Sequence, residues 1–221
     1  METTTIISAV EIAGTMAFAI SGIRLAATKR FDLFGAYVVG LVTAIGGGTI
    51  RDVLLGCTPI WMEQAIYLII TAISLLFVIL MGKRILLFKN TFFIFDTIGL
   101  ALFTVVGLDK ALDVGFPLWV AIIMGVVTGS FGGVLRDMMV GDVPLLFRRD
   151  IYALASMLGG LLLGGLLACG VNEPVSFVCS ALCVVNIRLL AMKFHLHLPT
   201  LVDPQDSDSR ISITSQRDKK S

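Results

Sequence analysis

One stretch of this chain occurs twice. Thr43-Ala44-Ile45-Gly46-Gly47-Gly48-Thr49-Ile50-Arg51-Asp52, with Gly56 and Pro59 after it, returns as Thr128-Gly129-Ser130-Phe131-Gly132-Gly133-Val134-Leu135-Arg136-Asp137, with Gly141 and Pro144. The offset is 85 residues; it holds without a gap from Glu11/Asp96 to Tyr67/Tyr152, with 18 identities in 57 pairs. Of all residues, 57% are hydrophobic and 15% charged, where a soluble domain carries roughly 25% charged residues. Internal symmetry in so apolar a chain marks a membrane channel or transporter made of two related halves.

A membrane helix needs roughly 20 largely apolar residues. Seven segments of the sequence qualify, at about 4–26, 33–55, 61–82, 92–109, 117–139, 149–170 and 174–192. Pro59, Pro117 and Pro174 stand at the starts of the third, fifth and seventh, where a missing N–H costs nothing. The start Met1-Glu2-Thr3 lacks the positive charge of a secretory signal, so the first apolar run is kept as a mature span. The fold class is therefore an all-α integral membrane protein of seven transmembrane helices. The membrane domain covers 1–192, with repeat one at about 5–82, repeat two at about 91–170 and an extra helix at about 174–192. Residues 193–221 read as a polar, disordered cytoplasmic tail.

Three spans per repeat is an odd number, so the second copy enters the membrane in the opposite sense. The halves form an inverted repeat about a pseudo-two-fold axis in the membrane plane. Lys and Arg set the orientation: fifteen of the seventeen fall on one side, and only Arg51 and Lys110 fall towards the other. That side is cytoplasmic, the N-terminus faces out and the C-terminus faces in. A net charge of +1 implies neither an acidic partner nor nucleic acid.

Gly46, Gly47 and Gly48 lie inside the second span, and Gly132 and Gly133 inside the fifth. Glycine in a helix interior costs about 1 kcal/mol against alanine. Two such clusters predict breaks whose freed carbonyls suit cation ligation; close helix packing is the alternative. Small residues at every fourth position, as in Ala36-Gly40-Ala44-Gly48, Gly125-Gly129-Gly133 and Gly160-Gly164, mark packing faces within or between subunits. Thr43 and Thr128, just before the clusters, either add hydroxyl ligands or bond back to their own helix, and the second is favoured.

Arg51-Asp52 and Arg136-Asp137 follow the glycines. Neighbours on a helix point about 100° apart, so each Arg is expected to find its partner elsewhere. Depth matching predicts two charged layers: Glu11 with Arg51 and Asp52 near the outer face, Asp96 with Arg136 and Asp137 near the inner. They gate or line an ion path, or they are buried pairs holding helices in register. Trp61, Tyr67, Trp119 and Tyr152 suit interfacial anchoring. Cys57, Cys169, Cys179 and Cys183 form no C-x-x-C pair and read as buried apolar cysteines. His195 and His197 have no carboxylate or thiol beside them, so no metal site is expected. No nucleophile with a base is visible, so the chain is read as no enzyme and without cofactor.

With these residues in hand, the chain resembles a known family. Ser21-Gly22, Phe31-Asp32-Leu33-Phe34-Gly35, the Gly46 to Gly56 motif with Pro59, and Gly132 to Asp137 with Gly141 and Pro144 are similar to the prokaryotic branch of the trimeric intracellular cation (TRIC) channels. The resemblance covers roughly residues 5–192. It implies a homotrimer in which each protomer carries its own pore, bounded by the first, second, fourth and fifth spans. It implies kinks at Gly46–Gly48 and Gly132–Gly133, and a monovalent cation, mainly potassium, as permeant ion. A prokaryotic plasma membrane is the expected location, with lipid as the surrounding partner. Phe131 stands where the first repeat has Gly46, so the second kink is expected to differ in sharpness or width. Related bacterial sequences carry the label of glycine transporters, so secondary transport of a small amino acid such as glycine is the alternative. A scaffold that only trimerises is a third reading, and six ionisable residues inside the spans weigh against it.

Overall fold

The structure is a computed structural model that describes residues 2–87, 91–147, 151–194 and 196, with the backbone alone for 2–5 and 83–87. Most of the tail 193–221, with Lys89, Arg148, Arg149, His195 and His197, lies outside the described residues. Among those described the chain is all-helical. α1 (Glu2–Thr28), α2 (Leu33–Leu55), α3 (Ile60–Glu63) and α4 (Ile66–Leu87) make the first half; α5 (Thr91–Asp113), α6 (Leu118–Met139), a 3-10 turn (Leu145–Phe147) and α7 (Ala153–Ala168) make the second. α8 (Glu173–Lys193) follows. The 85-residue offset carries Leu33 onto Leu118 and Ile60 onto Leu145, so the halves match element by element. This is the three-plus-three repeat with a seventh membrane helix outside it.

Among the described residues five helices are long and apolar enough to cross a membrane: Ile6–Thr28 of α1, then α2, α5, α6 and α8. Ile66–Gly82 and Ala153–Ala168 are shorter apolar helices. The expected third span at 61–82 begins later than the sequence suggested. Pro59 starts the one-turn α3, and the long helix opens only at Ile66. α4 also contains a non-helical residue, Gly82, at φ 48° and ψ −131°.

α2 and α6 end alike. Gly56 (φ 72°) and Gly141 (φ 74°) adopt the left-handed conformation that glycine tolerates best. Cys57 N then donates to Asp52 O (2.8 Å) and Asp142 N to Asp137 O (2.9 Å), closing both last turns. Asp32 caps the start of α2 by accepting from Gly35 N at 2.7 Å.

α1, α2, α5 and α6 pack together at the centre; α4 lies on α1 and α2, α7 on α5 and α6, and α8 on α7 and α5. The glycine clusters do not break their helices. α2 and α6 are continuous, with no non-helical residue inside either. The packing alternative holds instead. A Cβ on Gly47 would overlap the carbonyl oxygen of Thr128, and one on Gly132 would overlap that of Thr43. The two contacts are exchanged by the pseudo-two-fold, so this crossing lies on the axis. Two helices approach so closely only where one side has no side chain. The threonines bond back to their own helices, Thr43 Oγ1 to Val39 O and Thr128 Oγ1 to Met124 O, each at 2.6 Å.

The other small-residue faces are also contacts within the protomer: Gly40 meets Ile23, Gly125 meets Thr104 O, Gly129 meets Leu100 O and Gly164 meets Leu118. The outer surface is apolar, with Phe34, Leu80, Trp119 and Val178 among its exposed side chains. Cys169 and Cys179 are exposed and Cys57 and Cys183 half-buried, contrary to the expectation of buried cysteines. In lipid the outside of a helix is as apolar as the core, so apolar surroundings in sequence do not imply burial.

Gly47→Ala is expected to lower the melting temperature in detergent, by the equivalent of about 1–3 kcal/mol, because a backbone carbonyl cannot yield. Gly165, with nothing within 4 Å of a built Cβ, is the control: Gly165→Ala should be neutral or stabilising. Equal melting of the two variants would rule out the axis contact as the reason for glycine.

Candidate functional site: two charged layers

The helix ends just described bring ionisable side chains together in two groups, one from each half. Both are built on the same local device. Arg51 Nε donates to Asp52 Oδ1 at 2.9 Å, and Arg136 Nε donates to Asp137 Oδ1 at 2.9 Å. Each Arg therefore does pair with its own Asp, contrary to the expectation from helix geometry. The 100° divergence applies at Cβ, and a guanidinium on three methylenes reaches across it. The second oxygen of each carboxylate accepts a backbone N–H eight residues on: Ile60 N to Asp52 Oδ2 (3.3 Å) and Leu145 N to Asp137 Oδ2 (2.9 Å). These bonds tie α3 to the end of α2 and the 3-10 turn to the end of α6. All four charged side chains are buried.

The second layer has the partner that depth matching predicted. Arg136 Nη1 donates to Asp96 Oδ1 at 2.5 Å and to Ser21 Oγ at 3.0 Å. Its guanidinium lies 4.5 Å from the Phe92 ring centroid. Arg188 enters from α8. Its Nη2 is 3.7 Å from Asp96 Oδ2 and its Nη1 donates to Ile151 O at 3.3 Å. It also lies over the rings of Phe93 (4.3 Å) and Tyr152 (4.7 Å). Two arginines face two aspartates, and none of the four is more than 3% exposed.

The first layer is assembled differently. Glu11 accepts from Tyr67 Oη at 3.1 Å rather than from Arg51. Asp52 has Lys110 Nζ, from the second half, 3.0 Å from Oδ1, and the Lys110 side chain is 27% exposed. Trp61 Nε1 donates to Thr49 Oγ1 at 3.1 Å. Glu11, Thr15, Arg51, Asp52, Trp61 and Tyr67 line one crevice. This layer is neutral too, with Arg51 and Lys110 against Asp52 and Glu11, but it is open where the second is sealed.

The structure thus joins Asp96, Arg136 and Asp137 directly, and sets Glu11, Arg51 and Asp52 around one space. Gly46, Gly47, Gly132, Thr43 and Thr128 sit between the layers at the crossing, while Gly48 and Gly133 each lie beside their layer's arginine. Sequence reasoning missed Ser21, Lys110 and Arg188, and read Tyr67 and Tyr152 as interfacial anchors. Both tyrosines are buried among these charges, at 5% and 1% exposure. Their identity across the repeat was the available signal, and Arg188 stood inside an apolar span. Among the described residues no group of three His, Cys, Asp or Glu is placed to hold a metal ion.

Helices of this length, an inverted repeat and neutralised charges within it define a multi-pass membrane protein of the channel and transporter class. Comparison with known proteins narrows this. The family model described as "Glycine transporter" matches residues 8–83 and 93–167, one segment in each repeat. A UPF0126 membrane protein of Vibrio cholerae is 38% identical over 201 residues, covering 89% of this chain and 83% of the relative. The Escherichia coli UPF0126 inner membrane protein YadS is 37% identical over 193 residues, covering 86% and 93%. The solved TRIC trimeric intracellular cation channel orthologue from Rhodobacter sphaeroides superposes with a TM-score of 0.83 at 32% identity, covering 87% of this chain and all of that one. The chain belongs to the family that the Glycine transporter model describes and to the prokaryotic TRIC channels.

The two layers differ in what a lost charge costs. Arg136→Met leaves Asp96 and Asp137 buried without their common partner, a loss of about 3–5 kcal/mol. Lys110→Met leaves Asp52 paired with Arg51 beside an open crevice, so its melting temperature should fall far less. Comparable losses in the two variants would contradict the sealed-against-open difference.

Proposed function

We propose that this protein is a channel for monovalent cations, chiefly potassium, working as a homotrimer with one pore in each protomer. The pore is bounded by α1, α2, α5 and α6, and the two charged layers stand at its ends. The observation that carries the reading is the likeness, along nearly the whole chain, to solved structures described as TRIC cation channels. The ionisable residues inside apolar helices support it, since a chain that merely spans the membrane gains little from burying them. In this reading Glu11 and Asp96 are the groups that attract the cation. Because α2 and α6 are unbroken, Gly46, Gly47, Gly48, Gly132 and Gly133 act by letting helices and side chains approach rather than by releasing carbonyl ligands. Passage through the second layer requires Asp96 and Arg136 to part.

The proposed setting is the prokaryotic plasma membrane, with the N-terminus outside, the C-terminus in the cytoplasm and lipid against the apolar outer faces. The distribution of Lys and Arg supports the orientation, and the inner-membrane designation of the Escherichia coli relative supports the location. No cofactor is needed. A second reading, transport of a small amino acid such as glycine, has one observation in its favour. The open crevice presents the carboxylate of Glu11 and the guanidinium of Arg51 to one space, which suits the amine and the carboxylate of a zwitterion.

Purified protein in liposomes should pass potassium, and in planar bilayers should give discrete currents reversing near the potassium equilibrium potential. Glu11→Gln and Asp96→Asn should each alter conductance or selectivity in a protein that still folds. Unchanged currents in both variants would remove these carboxylates from the pathway. Silence with saturable glycine uptake would replace the channel by a transporter.

A further inference from the structure

The two layers are copies at an offset of 85 residues, yet they close differently at one point. In the first, Tyr67 Oη donates straight to Glu11 Oε2 at 3.1 Å. Their mates are Tyr152 and Asp96, and between these the bond is not made. Tyr152 Oη, Asp96 Oδ2 and Arg136 Nη2 are all buried polar atoms with no hydrogen-bond partner. At this carboxylate the layers differ by one methylene, because aspartate stands where the first half has glutamate.

The three side chains are each at most 1% exposed. They also converge. A Cβ built on Gly133 would lie 2.8 Å from Tyr152 Oη, 3.4 Å from Arg136 Nη2 and 3.6 Å from Asp96 Oδ1. On the first-half mate, Gly48, a Cβ would meet only Arg51 Nη2, at 3.8 Å. A buried donor or acceptor left unsatisfied costs about 1–3 kcal/mol. Buried waters typically make about three hydrogen bonds to groups of this kind.

We propose that the second layer binds one ordered water molecule beside Gly133, spanning the gap that the missing methylene leaves. The water accepts from Arg136 Nη2 and from the Tyr152 hydroxyl, and donates to the Asp96 carboxylate, whose Oδ1 faces Gly133 and whose Oδ2 lies towards Arg188. A cation fits this space poorly, because a guanidinium N–H is aimed into it. Gly133 is glycine because a side chain there would take the water's place. The site is independent of the channel reading: it follows from polar groups that need a partner, whatever the protein conducts. It gives the sealed layer a component that exchanges without breaking the Arg136 pairs with Asp96 or Asp137.

The test is a high-resolution crystal structure of the full chain, grown or soaked with thallium salt, together with melting curves of two variants. The expected result is a single peak within hydrogen-bonding distance of Arg136 Nη2, Tyr152 Oη and the Asp96 carboxylate, without anomalous signal. Asp96→Glu should lose that peak by bringing the carboxylate to Tyr152 directly. Tyr152→Phe should melt below the parent, since the water loses one of its three partners. If the layer were dry, the same variant would remove an unsatisfied hydroxyl and melt at or above the parent. No peak, an anomalous peak, or a Tyr152→Phe variant at least as stable as the parent each overturns the proposal, and the last of these needs no crystal.

Discussion

A carboxylate near the C-terminal end of a membrane helix is disfavoured twice. It faces the negative end of the helix dipole, and it sits among apolar chains that cannot solvate it. Asp52 and Asp137 are both in this position, and both are rescued in the same way. The preceding arginine neutralises one oxygen, and a backbone N–H eight residues later bonds the other. The rescue is also a structural instruction. It folds the chain sharply back after α2 and after α6, and so determines where α4 and α7 begin. Those starts carry Tyr67 and Tyr152 to the two layers. Without the aspartates, the reversals would lose the anchor that connects each helix end to the following turn.

The large features were legible because they depend on patterns that a linear sequence preserves. Seven apolar runs, an exact register between halves and an odd number of spans per half are enough for the inverted repeat. Asp96 with Arg136 was legible for the same reason, since depth along a helix follows residue number. Less was legible wherever the answer depended on the neighbour rather than on the residue. Consecutive glycines are equally consistent with a break and with a crossing. What decides is the carbonyl lying against Gly47 and Gly132, and that belongs to another helix. The start of α4 was missed because Ile60, Trp61 and Met62 of α3 read as the first turn of the membrane segment, and Glu63 and Gln64 after them were the available sign of a reversal. Arg188 was one of the fifteen basic residues counted towards the cytoplasmic side, and only the packing of α8 on α5 and α7 reveals it as a buried counter-ion.

The halves are related but not equivalent, and the inequality has a physical source. Only one layer has an extra helix against it. α8 supplies Arg188, with the rings of Phe93 and Tyr152 stacked around its guanidinium, and the second layer is thereby roofed. The first layer takes its second cation from Lys110, a flexible side chain reaching in from α5. A compact, hydrated ammonium and a rigid guanidinium are different partners for a carboxylate. Neutrality is achieved on both sides, with a movable cation on one and a fixed one on the other.

The reciprocal contact of Gly47 with Thr128 and of Gly132 with Thr43 has a consequence for descent. In an assembly of two separate identical copies, a change at a residue on the two-fold axis occurs on both sides at once. A side chain gained at that glycine would be gained twice, in the one place where two backbones touch. Joining the copies in one chain removes this doubling. Each half then meets selection separately, and substitutions that two identical copies could never carry alone, such as Phe131 against Gly46 or Asp96 against Glu11, become accessible. In this chain the crossing is symmetric, while the pairs Phe131 against Gly46 and Asp96 against Glu11 differ between the halves.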